Sequence, residues 1–336
     1  MVELSVVVPV FNEEESLDHL LPRVVQVLER FGRSWEVVLV DDGSTDGSWE
    51  KLRAWVARQK GLRAIRLRRN FGQTAAMSAG FHHARGRLII TLDADLQNDP
   101  NDIPLLVETL EQQNLDVVSG WRKERQDPFL TRRLPSQLAN ALISRFTGVR
   151  LHDYGCTLKV YRREVIENLS LYGEMHRFLP ALASWVGGTI GEVVVHHHPR
   201  RFGRSKYGLS RTTRVILDLL TVNFLLRYST RPIQIFGRWG LGTLFTGLVL
   251  LAVMAIPHLL YPFFKTHWIE TLVGLAKRPF WVTTPFMLIF FGIQFISMGL
   301  LAELQTRTYH ESQRKPVYTV RDILDSTPTP AQESNP

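Results

Sequence analysis

Apolar and polar positions over the first two hundred residues follow two alternating rhythms. Short continuous apolar runs at Leu4–Val10, Glu36–Val40, Ala64–Leu67, Leu88–Leu92 and Asp116–Ser119 predict buried strands. Between them, Ser16–Phe31, Ser48–Gln59, Thr74–Ala84 and Ile103–Gln112 carry apolar residues at helical spacing. Ser16 and Ser48 each precede such a pattern and predict N-caps, and Asp99-Pro100 with Pro104 marks the start of the fourth helix. Strands alternating with helices predict an α/β fold, Rossmann-like, with a mainly parallel sheet covered on both faces. Glu192–Val195 predicts one more strand, ended by His196-His197-His198. Consecutive residues there point to opposite faces, which argues against a metal triad.

The pattern changes after residue 200. Arg200–Tyr228 is basic, with Val215, Ile216, Leu219, Leu220, Val222 and Leu226 at helical spacing. Helices lying on a membrane surface look like this, and so does ordinary core packing. Trp239–Pro257 and Pro279–Ala302 contain no charged residue, and each approaches or exceeds the ~20 residues that cross a bilayer core. Trp239, Tyr261, Trp268 and Trp281 stand near their ends, as interfacial aromatics do. The alternative is a pair of buried core helices. Arg227, Arg231 and Arg238 precede the first run, and Arg307, Arg314 and Lys315 follow the second, against Lys265, Lys277 and Arg278 between them. That asymmetry favours a hairpin with both ends in the cytosol. The expected organisation is a cytosolic α/β domain over 1–210, amphipathic juxtamembrane helices over 211–232, a transmembrane hairpin over 233–302 and a cytosolic tail over 303–336. The stretch from Asp325 to Pro336, rich in Ser, Thr and Pro, is expected to be disordered. Leu4–Val10 is too short for a signal peptide, so a multi-pass inner (plasma) membrane protein is expected.

Composition narrows the partners. A formal charge of +8 and a pI of about 9.8 suit an anionic partner: nucleic acid, lipid headgroup or phosphorylated substrate. The single cysteine, Cys156, excludes an intrachain disulfide and any multi-cysteine metal site.

The chemistry concentrates at predicted strand ends. Leu88 to Gln97 reads Leu-Ile-Ile-Thr-Leu-Asp-Ala-Asp-Leu-Gln. A buried strand would deliver Asp93 and Asp95 to its carboxyl edge, where open α/β sheets bind ligands. In an extended chain both carboxylates face one side, and hard oxygen donors suit Mg²⁺ or Mn²⁺, which in turn would hold a diphosphate. Pro9-Val10-Phe11-Asn12-Glu13-Glu14 closes the first strand, and Val40-Asp41-Asp42-Gly43-Ser44-Thr45-Asp46-Gly47 closes the second. Asp42 there can accept from a base N–H or a ribose hydroxyl, whereas Asp46 reads as turn chemistry.

These motifs, with Arg-Asn-Phe-Gly-Gln between them, occur in an order that resembles the inverting glycosyltransferases of family 2. In particular they resemble the polyprenyl-phosphate glycosyltransferases, a group that includes dolichol-phosphate mannose synthase and the bactoprenol glucosyl- and aminoarabinosyl-transferases. The resemblance covers residues 4 to 210 by motif and implies a nucleotide-diphospho-sugar transferase (GT-A) domain. It implies that Pro9, Val10, Asn12, Glu13, Asp41 and Asp42 line the nucleoside pocket with help from Gln73. Asp93, Ala94, Asp95 and Gln97 would hold the divalent metal and the sugar diphosphate. The partners it implies are a nucleotide sugar, UDP-glucose first, a polyprenyl phosphate, the membrane and a second copy of the chain in a homo-oligomer. Nucleic acid has no place in it.

The acceptor side rests on basic residues. Arg122 ends the fifth predicted strand, Arg132 and Arg133 open the next helix, and Arg204, Ser205 and Lys206 precede the amphipathic segment. A dianionic phosphate at the membrane surface would draw such groups together, although Arg132 and Arg133 also suit a solvated face. Asp153, in Leu-His-Asp-Tyr-Gly-Cys, is the candidate catalytic carboxylate together with Asp95. An acceptor phosphate with a second pKa of about 6 arrives largely ionised, so Asp153 is expected to position it or to stabilise charge more than to act as a strong base.

Two other functions fit less well. A processive polysaccharide synthase would resemble enzymes carrying Thr-Glu-Asp and Gln-x-x-Arg-Trp. This chain has His152-Asp153-Tyr154 at the first and Gln234 with Arg238-Trp239, one residue too long, at the second. A catalytically inactive nucleotide-binding membrane adaptor would have no reason to keep Asp93, Asp95 and Gln97.

Overall fold

The computed structural model describes residues 2–123, 140, 143, 144, 147–167, 169, 171, 175–199, 233–264, 266–276, 278–312 and 318–326. The chain forms two compact units, Met1–Asn223 with Pro316–Pro336, and Phe224–Lys315.

The first unit is built on one eight-stranded sheet. Its strands are β1 (Leu4–Val10), β2 (Trp35–Asp41), β3 (Leu62–Leu67), β4 (Leu88–Thr91), β5 (Val117–Trp121), β6 (Lys159–Arg162), β7 (Ile190–Val194) and β8 (Val320–Asp325), in the spatial order β7-β5-β6-β4-β1-β2-β3-β8. β1 runs parallel to β2 and β4, and β2 runs parallel to β3. β6 is antiparallel to both β4 and β5, and β8 is antiparallel to β3. The chain reverses direction of winding between β1 and β4. In a doubly wound sheet that switch point leaves a crevice at the carboxyl ends of the strands.

Helices α1 (Glu14–Phe31), α2 (Ser48–Arg58), α3 (Gln73–His83) and α4 (Ile103–Gln112) connect the strands. α1 buries Leu17, Leu20, Leu21, Val24 and Leu28 at helical spacing, together with Val6, Val8, Leu39 and Leu106 in the core. α3 differs, being buried throughout from Thr74 to Phe81. It lies so close to β1 that a Cβ on Gly80 would come within 2.2 Å of Val7 Cγ1. Only a residue without a side chain permits that approach.

Neither predicted serine cap holds its own helix. α1 begins two residues before Ser16, whose hydroxyl donates to Glu13 Oε2 at 2.9 Å. Ser48 is the first residue of α2, and its hydroxyl accepts the Glu13 N–H at 3.0 Å, so it serves the neighbouring helix start.

The C-terminal tail holds an element that the sequence pattern did not predict. β8 has three charged residues in six and is an edge strand, so it lacks the apolar run that marks an interior strand. It is fixed by Asp325, whose Oδ2 accepts from Arg63 Nη2 at 2.8 Å and Arg85 Nη2 at 3.0 Å. Tyr318 Oη also meets His82 Nδ1 of α3 at 2.9 Å. The remainder of the expected disordered end, 327–336, and the amphipathic segment at 200–228 lie outside the described residues.

The second unit is a helical hairpin of α5 (Ile233–Leu260) and α6 (Pro279–Ser312), joined through α7 (His267–Ala276). Phe236–Leu260 and Pro279–Ala302 are long and apolar enough to cross a membrane. A Cβ on Gly240 would meet the Gly292 carbonyl at 2.8 Å, and one on Gly247 would meet Ile289 and the Pro285 carbonyl at 2.9 Å. The pairing 240 with 292 and 247 with 285–289 makes the helices antiparallel, and small residues let their backbones touch.

Candidate active site

The crevice is framed first by the loops after β1 and β2. Asn12 turns the chain with φ 51°, a left-handed value that Asn tolerates better than most residues. Its N–H donates to Ser44 Oγ at 2.9 Å, and its Oδ1 accepts the Thr45 N–H at 2.8 Å. Glu14 N–H donates to Asp46 Oδ2 at 3.2 Å, and Gly47 N–H donates to Glu14 Oε2 at 3.0 Å. The two polar clusters are therefore one stitched rim, and Asp46 is part of the stitching. Pro9 and Val10 pair with Val40 and Asp41 at its base.

Asp41 and Asp42 face different tasks. Asp41 is fully buried, with Oδ1 accepting the Ser44 N–H at 3.0 Å and Arg66 Nε 3.5 Å from Oδ2. Asp42 accepts the Phe71 N–H at 2.7 Å and the Gly72 N–H at 2.9 Å, one on each carboxylate oxygen. Burial pushes its pKa up to about 6 against the pull of those two amides. Asp42 thus clamps the 69–73 loop, and a carboxylate with two acceptor sites per oxygen keeps capacity for a further donor.

That loop reaches the two carboxylates. Gln73 Nε2 donates to Asp93 Oδ1 at 2.9 Å, so Gln73 stands on the same side as the carboxylate pair. Asp95 Oδ1 accepts the Gln97 N–H at 3.1 Å across Leu96, which holds φ 61°. A left-handed Leu is strained, and its buried side chain in the main core keeps it there. Burial, then the charge of Asp95, pushes the Asp93 pKa up to about 7. Two carboxylates that resist joint ionisation form a donor set that a divalent cation would relieve. No group of three or more His, Cys, Asp or Glu comes together among the described residues. The remaining positions of such an ion would fall to substrate oxygens and water.

The histidine run braces this turn from outside. His198 N–H donates to the Gln97 carbonyl at 2.8 Å, His196 Nδ1 lies 2.8 Å from Asp102 Oδ1, and His198 Nε2 lies 2.9 Å from Asp99 Oδ2.

Beyond β5 the structure joins two residues whose expected roles were separate. Arg122, just past β5, forks onto Asp153 with Nε to Oδ2 at 2.7 Å and Nη2 to Oδ1 at 3.0 Å. The Gly155 N–H adds a bond to Asp153 Oδ1 at 3.1 Å. Asp153 is 2% exposed. Burial alone would lower the arginine's pKa, but the bonds to Asp153 outweigh it and hold the guanidinium above its ordinary value. Two further residues of this region had no legible signal. Thr157 hydrogen-bonds Asp93 and accepts Asn98 Nδ2 at 2.8 Å on its hydroxyl, and Lys159 is a buried lysine at the start of β6. Burial pulls the Lys159 pKa below the usual lysine value. Both lie in what reads as an apolar strand approach, and only antiparallel pairing of β6 with β4 carries them to the site. Arg132, Arg133, Arg204, Ser205 and Lys206 lie outside the described residues.

A sequence profile of glycosyl transferase family 2 matches residues 5–170. The chain is 49% identical over 329 residues to the dodecaprenyl-phosphate galacturonate synthase of Rhizobium johnstonii, a match spanning 96% of this chain and 93% of that protein. The chain belongs to glycosyltransferase family 2. This glycosyltransferase is also 40% identical over 323 residues to the undecaprenyl-phosphate 4-deoxy-4-formamido-L-arabinose transferase of Edwardsiella ictaluri, spanning 96% of this chain and 94% of the relative. Those relatives are named for galacturonate and formamido-arabinose, not for glucose. The fold is shared with two solved structures at 18% identity. Mannosyl-3-phosphoglycerate synthase from Rubrobacter xylanophilus superposes with a TM-score of 0.54, over 66% of this chain and 74% of that one. Glucosyl-3-phosphoglycerate synthase from Mycobacterium tuberculosis, solved with Mn²⁺ and UDP-glucose, gives 0.52 over 66% and 79%. The mainly parallel α/β sheet expected from the strand and helix pattern is observed, and its GT-A-like fold is the one that the resemblance implied.

Proposed function

We propose that the protein transfers a sugar from a nucleotide sugar to a polyprenyl phosphate, with galacturonate as the first candidate in place of glucose and a 4-formamido-arabinose as the second. The observation that carries this is the 49% identity over almost the whole of both chains. It is supported by two carboxylates after β4 and an arginine fork after β5, which β6 brings together at one edge of the sheet. On the donor side, Asp93 and Asp95 would hold Mg²⁺ or Mn²⁺, and Gln73 and the Gln97 amide fix their orientations. The chemistry such an ion supplies is neutralisation of the departing nucleoside diphosphate. Asn12, Glu13 and Asp42 shape the nucleoside end of the crevice.

On the acceptor side, an ionised phosphate needs no strong base, and Asp153 is already engaged by Arg122. Asp153 therefore orients the guanidinium, whose outward N–H groups meet the phosphate oxygens. Inversion follows from attack by that phosphate opposite the leaving diphosphate.

The assay is incubation of purified protein with Mn²⁺, dodecaprenyl or undecaprenyl phosphate and a panel of UDP-galacturonate, UDP-4-deoxy-4-formamido-arabinose and UDP-glucose. Galacturonyl lipid is the expected product. Transfer of glucose alone would overturn the sugar assignment, and no lipid product from any donor would overturn the transfer reading.

The hairpin fits a membrane anchor. Its helices expose Phe245, Leu259, Phe280 and Leu301 by more than 60% each, which suits lipid and would be costly in water. The sheet takes the chain back as β8 after the hairpin, so two crossings leave both flanks on one face, the cytosolic one. An impermeant maleimide applied to right-side-out vesicles should label Phe264→Cys at once and Asp322→Cys only after permeabilisation. Equal labelling of both from outside would refute the hairpin topology.

A further inference from the structure

Among the described residues, Lys159 is a buried charged group under the site to which the transfer chemistry gives no task. It opens β6 opposite Thr91 of β4 on one side and Ser119 of β5 on the other. Asp93 lies two residues beyond Thr91, and Arg122 lies three beyond Ser119. Lys159 is 3% exposed. Its Nζ donates to the carbonyl of Tyr154 at 3.3 Å and to the carbonyl of Cys156. Between those two carbonyls sits Gly155, whose N–H donates to Asp153 Oδ1. The Tyr154–Gly155 peptide gripped by the lysine is thus the one whose N–H holds the carboxylate, which in turn holds Arg122. The charges of Asp153 and Asp93 also act on the ammonium and favour its protonated form against the pull of burial.

A buried ammonium is costly, and packing alone would favour an apolar side chain of similar volume. Its direct hydrogen bonds go to backbone carbonyls, while the charges of Asp153 and Asp93 offset part of that cost. What it does is fix the shape of one short loop, Asp153 to Cys156, from below. The same loop continues through Thr157, the hydrogen-bond partner of Asp93, to Lys159 itself.

We propose that Lys159 is a positioning residue of the transfer site: its ammonium fixes the Tyr154 and Cys156 peptides so that Asp153 presents Arg122 to the acceptor phosphate. The proposal deepens the acceptor role of Arg122 and rests on it. A purely structural lysine would be replaceable by methionine without change in acceptor binding.

The test uses the full chain in detergent, with K159M, K159Q and K159R compared with wild type. Two readouts are taken, binding of UDP with Mn²⁺ and steady-state transfer to dodecaprenyl phosphate from UDP-galacturonate or whichever panel donor the wild type uses. K159M and K159Q should raise the acceptor KM by about tenfold or more, with UDP–Mn²⁺ binding within about twofold of wild type. K159R, which keeps the charge, should recover acceptor KM to within about threefold. An unchanged acceptor KM in either folded neutral variant overturns the proposal, as does a matched rise in donor and acceptor KM in all three variants. If both neutral variants fail to bind UDP–Mn²⁺, the lysine serves the fold alone and the proposal also falls. A wild type without any lipid product overturns the transfer reading itself, and the role of Lys159 with it.

Discussion

Asp93→Asn and Asp95→Asn should each lower transfer by about a thousandfold or more, because either change removes a charged oxygen from the pair proposed to hold the metal at the leaving diphosphate. The loss should come with weakened Mn²⁺ binding and an intact fold. An asparagine at 93 still offers Gln73 an acceptor oxygen, and one at 95 still offers one to the Gln97 amide. Stability should move in the opposite direction from activity. The Asp93 pKa is pushed up to about 7 in the folded protein, above an unfolded value of about 4. A raised carboxylate pKa contributes stability that is fully present below about pH 4 and is lost as pH rises through about 7. With EDTA present, the wild-type Tm should therefore fall across that window, whereas the Asp93→Asn Tm should fall less and stand higher at pH 8. Active sites commonly give up stability for function in this way. Retained transfer in either variant would refute the metal assignment, and a Tm at pH 8 below that of wild type would show that Asp93 serves the fold instead.

Breaking the Arg122–Asp153 pair should give the second large effect. Arg122→Ala leaves a buried carboxylate without its cation, an imbalance worth about 3–5 kcal/mol in comparable buried pairs. Asp153→Ala leaves the guanidinium without its fork. Each single variant should show a lower Tm and a raised acceptor KM. The double variant should recover much of the Tm, since neither charge is then stranded, while transfer stays lost. Arg122→Lys separates charge from geometry. A lysine keeps the positive charge but cannot make both bonds to Asp153, so about a hundredfold loss of transfer is expected. The kinetics of Asp153→Asn distinguish positioning from base catalysis. A positioning carboxylate predicts a raised acceptor KM, and a general base predicts a fall in kcat at unchanged KM. The second pattern would return Asp153 to the role of a base.

Much of this protein is legible without coordinates, and the elements show why. The strands at Leu4–Val10 and Leu88–Thr91 are buried on both faces of a parallel sheet, so their sequences are continuous apolar runs. The hairpin helices are long and apolar enough to cross a membrane, and they too carry an unbroken apolar signal. Asp93 and Asp95 are legible as a pair because they follow the apolar run of β4 directly, although the chain leaves extended backbone at Ala94 and Asp95 and turns through Leu96. β8 was not legible: an edge strand half open to solvent needs no apolar pattern. The serine caps were misassigned because Ser48 caps α1, a partner 35 residues away in sequence.

The sequence by itself determined the family, the order of strands and helices, the carboxylate pair at the strand end and the two long apolar spans. The family shows in motifs that occur in order along the chain, and the rest depend on local period and composition, which the chain carries residue by residue. Tertiary structure alone decided which groups neutralise one another. Arg122 and Asp153 lie 31 residues apart and look like two independent site residues until β5 and the loop before β6 are brought side by side. Gln73 reaches Asp93 only because α3 starts beside the end of β4. Lys159 becomes part of the site only because β6 runs antiparallel between β4 and β5. Charge pairing depends on distance through space, and no periodicity along the chain records it.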